Sequence, residues 1–318
     1  MDVKIAVFNP QMGRFLGEVV ERWQQAGHEV REERYYNPEN VIWADSVLFF
    51  TTDNNIKSAT DPGNAILDDK SNFFPWDMHD MDLTNKKIVV MPIDIEVWYG
   101  HHLGVKWDVV TDVIFIAPHI RDLMIDALPD TVKVHMLPLA VDTDRFNFVD
   151  KPIGKKIAWV CEKWPTKGID YALQIMAMLP KDYELHTIGG WNDRHAWEKA
   201  YQEDFIERHD IKFFDYEWVE DQNEWLADKD FILSCSKKEA FGMNIAEGMS
   251  KGLKPIIHRF YGCDALWDIG VWDTVDQAVY MIDEHNSSYT REDWRQYLFI
   301  KGYDLNSYME KINKVIGV

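Results

Sequence analysis

Short apolar runs alternate with helical patterns from one end of this chain to the other. Residues 3–8 form the first run, predicted as a strand, and the turn Asn9-Pro10-Gln11-Met12-Gly13 follows it. Phe15, Val19, Val20 and Trp23 then fall on one helical face that Gly27 closes, and Glu29-Val30 begins the next extended piece. Further strands are predicted at 47–50, 87–91, 112–116 and 132–139, with a helix over 121–128. The loops between them hold Asp94, Glu96, His101, His102 and His119. Residues 52–84 are polar and turn-rich and show no clear period.

The second half repeats the rhythm. Strands are predicted at 156–160, 183–188, 211–214 and 255–260, and the apolar run Phe231-Ile232-Leu233 reads as a short buried strand. Helices are predicted over 168–179, 194–208, 243–251, 275–284, 291–300 and 305–315, and Asp221 is placed to cap a short helix ending at Ala227. Strands alternating with helices predict parallel sheets covered on both faces. The stretch 147–155, with Pro152 and Gly154, reads as a linker. This divides the chain into a first domain over 1–148 and a second over 149–302. A closing helical segment over 303–318 is a candidate to pack back on the first domain.

Two domains also suit the length of 318 residues, since single cores stop growing at about 250–300. Hydrophobic content of 46% and charged content of 28% are those of a soluble globular enzyme. No apolar run reaches the roughly 18 residues of a membrane span, and Met1-Asp2-Val3-Lys4-Ile5 lacks the basic start of a signal peptide. Cys161, Cys235 and Cys263 have no paired spacing and read as buried thiols of a reducing cytoplasm. The formal net charge of −20 argues against a surface built for nucleic acid or anionic lipid. It leaves room for one local basic site, made by Lys163 and Lys167 in one loop with Lys237 and Lys238 in another.

Candidate chemistry concentrates in residues 236–249. Here a strand, a turn with Gly242 and a helix start at Met243 make a geometry suited to anions, because the first helical turn leaves N–H groups unpaired. Glu239 sits at the turn and Glu247 eight positions on, a spacing suited to two ends of one extended ligand. Taken alone, Glu239 reads equally as a capping carboxylate and Glu247 as an exposed helix residue. Asp142-Thr143-Asp144 reads as a turn and cap, and residues 77–82, with their Asp and His, as a solvated loop, so no metal site is assigned. The loop of residues 9–13 has one glycine and no dinucleotide fingerprint.

Several of these segments, in this order, resemble glycosyltransferase family 4 of the GT-B fold. They are Ala140-Val141-Asp142-Thr143-Asp144-Arg145-Phe146, Trp164-Pro165-Thr166-Lys167-Gly168-Ile169-Asp170, the strand ending at Gly189-Gly190, and Glu239 to Glu247 as a Glu-x7-Glu signature with Phe241-Gly242 inside it. The run Gly252-Leu253-Lys254-Pro255-Ile256-Ile257 continues in register. The resemblance is close over 140–260 and loose before that. It implies two Rossmann-like domains facing a central cleft, with a nucleoside-diphosphate sugar, UDP-linked by expectation, held by the second domain. It implies a hydroxyl acceptor on the first domain, retention of anomeric configuration and no required metal.

Carried over by position, Lys167 holds the donor diphosphate and Glu239 faces the sugar. Phe241, Gly242, Met243 and Asn244 line the helix start, Glu247 accepts the ribose hydroxyls, and Gly13 approaches the diphosphate. Where the family has an arginine five residues before the lysine, this chain has Glu162, and Lys163 is the nearest substitute. Tyr216, after a strand end, is a candidate border for the base. Asp94 and His101 are the acceptor-side catalytic candidates, although each histidine reads first as a packing or surface residue. Three other readings stay open: transfer to hydroxymethylated DNA bases, as in compact phage enzymes of this fold, a nucleotide-sugar binder without catalysis, and a sugar-nucleotide epimerase. The acceptor, whether small molecule, glycan or modified DNA, is not chosen by these residues.

Overall fold

The computed structural model describes residues 2–10, 12, 15–51, 78–191, 196–284 and 289–318. The chain divides into two compact units, Met1–Leu139 with Tyr308–Val318, and Ala140–Ser307. Each unit is built on a six-stranded sheet in which every strand pair is parallel.

In the first unit the strands are β1 (Lys4–Phe8), β2 (Glu29–Glu33), β3 (Ser46–Phe50), β4 (Lys87–Met91), β5 (Asp112–Phe115) and β6 (Lys133–Met136), in the order β2-β1-β3-β4-β5-β6. The helices are α1 (Phe15–Gln25), α2 (Pro38–Trp43), α3 (Asp94–Trp98) and α4 (Pro118–Met124). The inner strands β3, β4 and β5 are nearly continuous apolar runs, because a parallel sheet is covered on both faces. The edge strand β2 is Glu-Val-Arg-Glu-Glu and partly exposed, which keeps the sheet edge charged.

The second unit carries β7 (Lys156–Val160), β8 (Glu184–Ile188), β9 (Phe213–Asp215), β10 (Phe231–Ser234), β11 (Lys254–His258) and β12 (Val271–Trp272), in the order β12-β11-β10-β7-β8-β9. Its helices are α5 (Ile169–Met178), α6 (Ala196–Arg208), α7 (Gln222–Leu226), α8 (Met243–Ser250), α9 (Val275–Asp283) and α10 (Arg291–Lys301). The last helix, α11 (Leu305–Ile316), ends in the first unit. Asp221 caps α7 by accepting from the N–H groups of Asn223 at 2.8 Å and Glu224 at 3.3 Å. In α10, Thr290 and Asp293 cap each other in a reciprocal box, and Gly302 at φ 68° closes the helix. No helix among the described residues is long and apolar enough to cross a membrane.

Several elements differ from the sequence reading. The helix expected at 121–128 starts at Pro118, since proline is favoured in a first turn, and passes at Ile125 into a 3-10 turn. His119 is therefore a buried helix residue, and Asp94 and Glu96 belong to α3, so none of the three lies in a loop. Residues 147–155 run inside the second unit, where the Lys151 ammonium pairs with Asp230 at 3.0 Å and donates to the Asp228 carbonyl. The strand expected at 132–139 pairs only over Lys133–Met136.

Candidate functional site

Strand order places the site. From β7 the chain runs outward through β8 to β9, and from β10 it runs the other way through β11 to β12, although β7 and β10 are neighbours. The loops after these two strands therefore part, and in open parallel sheets such a divergence at the carboxyl ends is where ligands bind. Those two loops are 161–168 and 235–242, the segments that carry the sequence motifs.

Glycine makes their approach possible. Gly168 has φ +69°, and a Cβ there would stand 2.4 Å from the Cys235 carbonyl oxygen. The loops are also tied by the Lys237 N–H donating to the Thr166 carbonyl at 2.9 Å. This leaves the Lys167 Nζ 2.6 Å from Glu239 Oε2, with the lysine side chain 29% and the carboxylate 18% exposed. Near enough to feel both charges is Cys161, whose thiol burial pushes far above its usual range.

After Glu239, Gly242 at φ +91° caps the start of α8, and its carbonyl accepts from the Ile245 N–H at 3.0 Å. The first turn of α8 begins here, at Met243. Phe241 faces inward, its ring 5.3 Å from Trp267 and 5.0 Å from Tyr303, and its carbonyl accepts from Trp267 Nε1 at 2.8 Å. The Asn244 side chain donates to the Val160 carbonyl at 3.0 Å, fixing α8 to the end of β7. Glu247, further along α8, accepts a hydrogen bond from Gln222 Nε2 on α7.

Lys163 is not gathered with Lys167. Its side chain is fully buried, pairs with Asp215 Oδ1 at 2.8 Å, donates to the Gly189 carbonyl and lies 5.1 Å from the Trp191 ring centre. Thr187 Oγ1 and Trp191 Nε1 also donate to Asp215, at 3.0 and 2.8 Å. Burial alone would raise the Asp215 carboxyl, but the hydrogen bond and charge of Lys163, the Glu217 N–H and the Trp191 indole more than offset it and hold it below the ordinary carboxylate range. The lysine expected as an alternative phosphate group thus ties the end of β7 to that of β9.

Tyr216 follows β9 as a residue 42% exposed, with its hydroxyl 3.3 Å from His186 Nδ1, while His186 Nε2 meets Glu184 Oε2 at 3.0 Å. Burial lowers the His186 pKa against the pull of Glu184. In the first unit, Asp94 begins α3 and His101 is exposed in the 3-10 turn His101–Gly104, beside Tyr99. His102 in the same turn is buried. Gly13 lies outside the described residues, as does Asp77 of the acidic segment. Of that segment, His79 pairs with Asp108 at 2.9 Å and Asp82 accepts from the Thr84 N–H. Asp142 accepts from the N–H groups of Asp144 and Arg145, a turn and cap. Among the described residues no group of three or more His, Cys, Asp or Glu is placed to hold a metal ion.

Two groups escaped the sequence reading: Asp215, which engages Lys163, and Gln222, which engages Glu247. The only signal for Gln222 was its position just after the Asp221 cap.

Residues 146–268 match the family model described as glycosyl transferases group 1, a span that contains both loops of the site. A search of curated proteins finds no match. Among solved structures the chain is similar to HepE from Anabaena in complex with UDP, at 12% identity, a TM-score of 0.74 and 100% coverage of both chains. It is also similar to a glycosyltransferase from Rickettsia africae, at 15% identity and a TM-score of 0.69, covering 99% of this chain and 98% of that one. The lipopolysaccharide outer core galactosyltransferase WaaB follows, at 13% identity and 0.67, with 99% of each chain covered. With its two Rossmann-like parallel-sheet units, the chain has the GT-B fold, and its second unit resembles the glycosyl transferases group 1 family over the residues that build the site.

Proposed function

We propose that the protein is a glycosyltransferase that moves a sugar, with retention, from a UDP-linked donor to a hydroxyl acceptor. The observation that carries this reading is the Lys167–Glu239 pair at the switch point of the second sheet, at 2.6 Å and partly open to solvent. HepE, similar in fold at 12% identity, has been solved with UDP and with UDP-glucose, which supports a uridine nucleotide here.

In this mechanism the bond from the anomeric carbon to the diphosphate breaks and one to the acceptor oxygen forms on the same face. The acceptor proton leaves with a base, and the departing UDP gains negative charge. The Lys167 ammonium and the N–H groups of the first turn of α8 meet that charge, stabilisation that grows as the bond breaks. Diphosphate competes with Glu239 for Lys167, and the displaced carboxylate accepts hydroxyls of the transferred sugar. Glu247 accepts the ribose hydroxyls and the Tyr216 ring borders the base. Asp94 and His101 remain the acceptor-side candidates, and no metal enters the scheme.

Calorimetry with UDP-glucose tests the donor site. Lys167→Ala and Glu247→Ala are each expected to weaken binding about tenfold or more, as loss of a charge-assisted hydrogen bond does. Unchanged affinity in both would sink the assignment. Release of UDP on incubation with UDP-sugars and simple acceptors separates a transferase from a pure binder, which releases none.

A further inference from the structure

The ribose-side carboxylate has a partner that the donor scheme does not use. Glu247 stands on α8, and Gln222 Nε2 on α7 donates to its Oε2. The side chain of Gln222 is itself held by a short, well-anchored turn. Asp221 caps that turn, and the next residue, Asn223, accepts at Oδ1 from the Lys251 ammonium at 2.7 Å. Lys251 is buried and also donates to Asn147 Oδ1 at 3.0 Å. The first turn of α7 therefore holds the α8 segment twice, at Glu247 on the helix and at Lys251, the residue that caps its end.

We propose that Gln222 is a positioning residue that orients the Glu247 carboxylate toward the two hydroxyls of a nucleotide ribose. This rests on the donor-site reading above. A glutamate side chain has three rotatable bonds, and a carboxylate that accepts two adjacent hydroxyls must be held in one plane. A neutral amide fixes that plane without neutralising the charge, which a lysine or arginine in its place would do. The same segment, six residues after Tyr216, joins the base side of the site to its ribose side, so the fold sets both through one short connection.

The test measures binding of UDP, 2′-deoxy-UDP and pyrophosphate to the full chain by calorimetry. Wild type is expected to prefer UDP over 2′-deoxy-UDP, and Glu247→Gln to lose that preference. If wild type shows none, or Glu247→Gln retains it, the donor-site reading itself fails. Given that baseline, Gln222→Leu is expected to weaken UDP about three- to tenfold, the cost of re-ordering a freed side chain, and to shrink the preference with pyrophosphate unchanged. Gln222→Glu keeps the shape and sets like charges together, so it is expected to lose at least as much. Asn223→Ala, which removes the Lys251 anchor of the turn, is expected to lower the unfolding midpoint and to shrink the preference less than either Gln222 variant does. An unchanged ratio of UDP to 2′-deoxy-UDP affinity in both Gln222 variants overturns the proposal, and so does an equal loss for pyrophosphate, which marks general disruption.

Discussion

Lys163 and Lys167 stand four residues apart in one loop, and each meets a carboxylate, Asp215 at 2.8 Å and Glu239 at 2.6 Å. The first ammonium is sealed from water and closed in by a carbonyl and the Trp191 ring; the second is partly open, with a carboxylate that can let it go. A buried ammonium cannot exchange partners without leaving a bare charge in a medium of low dielectric, which suits Lys163 to the frame. A half-open pair loses little when a better anion arrives, because water and ligand replace what is given up. The two carboxylates are about equally exposed, at 20% and 18%, so the burial of the lysines, 0% against 29%, is what separates a strut from a proposed binding group.

Lys163→Ala removes the buried ammonium and strands Asp215 in a partly buried place. Chemical denaturation is expected to show a loss of about 3–5 kcal/mol. Replacing both partners with apolar residues of similar size, Lys163→Met with Asp215→Leu, is expected to recover much of it. Next comes Lys167→Ala, with turnover of a UDP-sugar falling about a hundredfold or more while stability moves by under about 1 kcal/mol. A reversed pattern, with Lys167 governing stability and Lys163 turnover, would overturn the assignment of roles. Gly168→Ala tests the approach of the two loops. Its Cβ would meet the Cys235 carbonyl at 2.4 Å in a left-handed conformation, so a loss of more than about 1 kcal/mol is expected, with weaker donor binding.

The smallest effect is the pH dependence of the strut. The folded Asp215 carboxyl lies below its ordinary value of 3.8, so its contribution is complete above that pH and is lost as pH falls through the folded value. The stability difference between wild type and Asp215→Asn is thus expected to be flat from pH 7 to 5 and to narrow below about pH 4. Titration melts of both proteins would check it.

Much of the frame was legible because its strands are apolar runs with turn residues after them: β1, β3, β4, β7 and β10 all stand close to where the pattern put them. Asp221 was readable as a cap for the same local reason. Elements whose cause is not local were missed. The two-residue β12 exists only because β11 pairs with it, and α2 is six residues long, too short for a helical period to declare itself despite Asn37 and Pro38 at its start. The ordered motifs put Lys167, Glu239, Gly242 and Glu247 in two loops and a helix that follow neighbouring strands, β7 and β10. The fate of Lys163 depended on Asp215, 52 residues away on another strand, and no spacing rule carries that information. Glu239 and Lys167, 72 residues apart, were expected to hold different parts of the ligand, and their contact with each other emerged only with the fold.

The membership of Tyr308–Val318 in the first unit has a consequence for how the protein is made. The sheet of that unit is translated within the first 139 residues. Yet the Trp23 indole bonds Asn313, the Ser46 hydroxyl bonds the Ile316 carbonyl and the Lys87 ammonium reaches the carbonyl of Val315. Those partners leave the ribosome after the whole second unit, at about 5–20 residues per second. The first sheet must therefore wait many seconds with part of one surface uncovered, while the second unit has all of its own residues before residue 308 is added. Birth order and completion order are thus reversed, and the nascent first unit is where a chaperone would be needed.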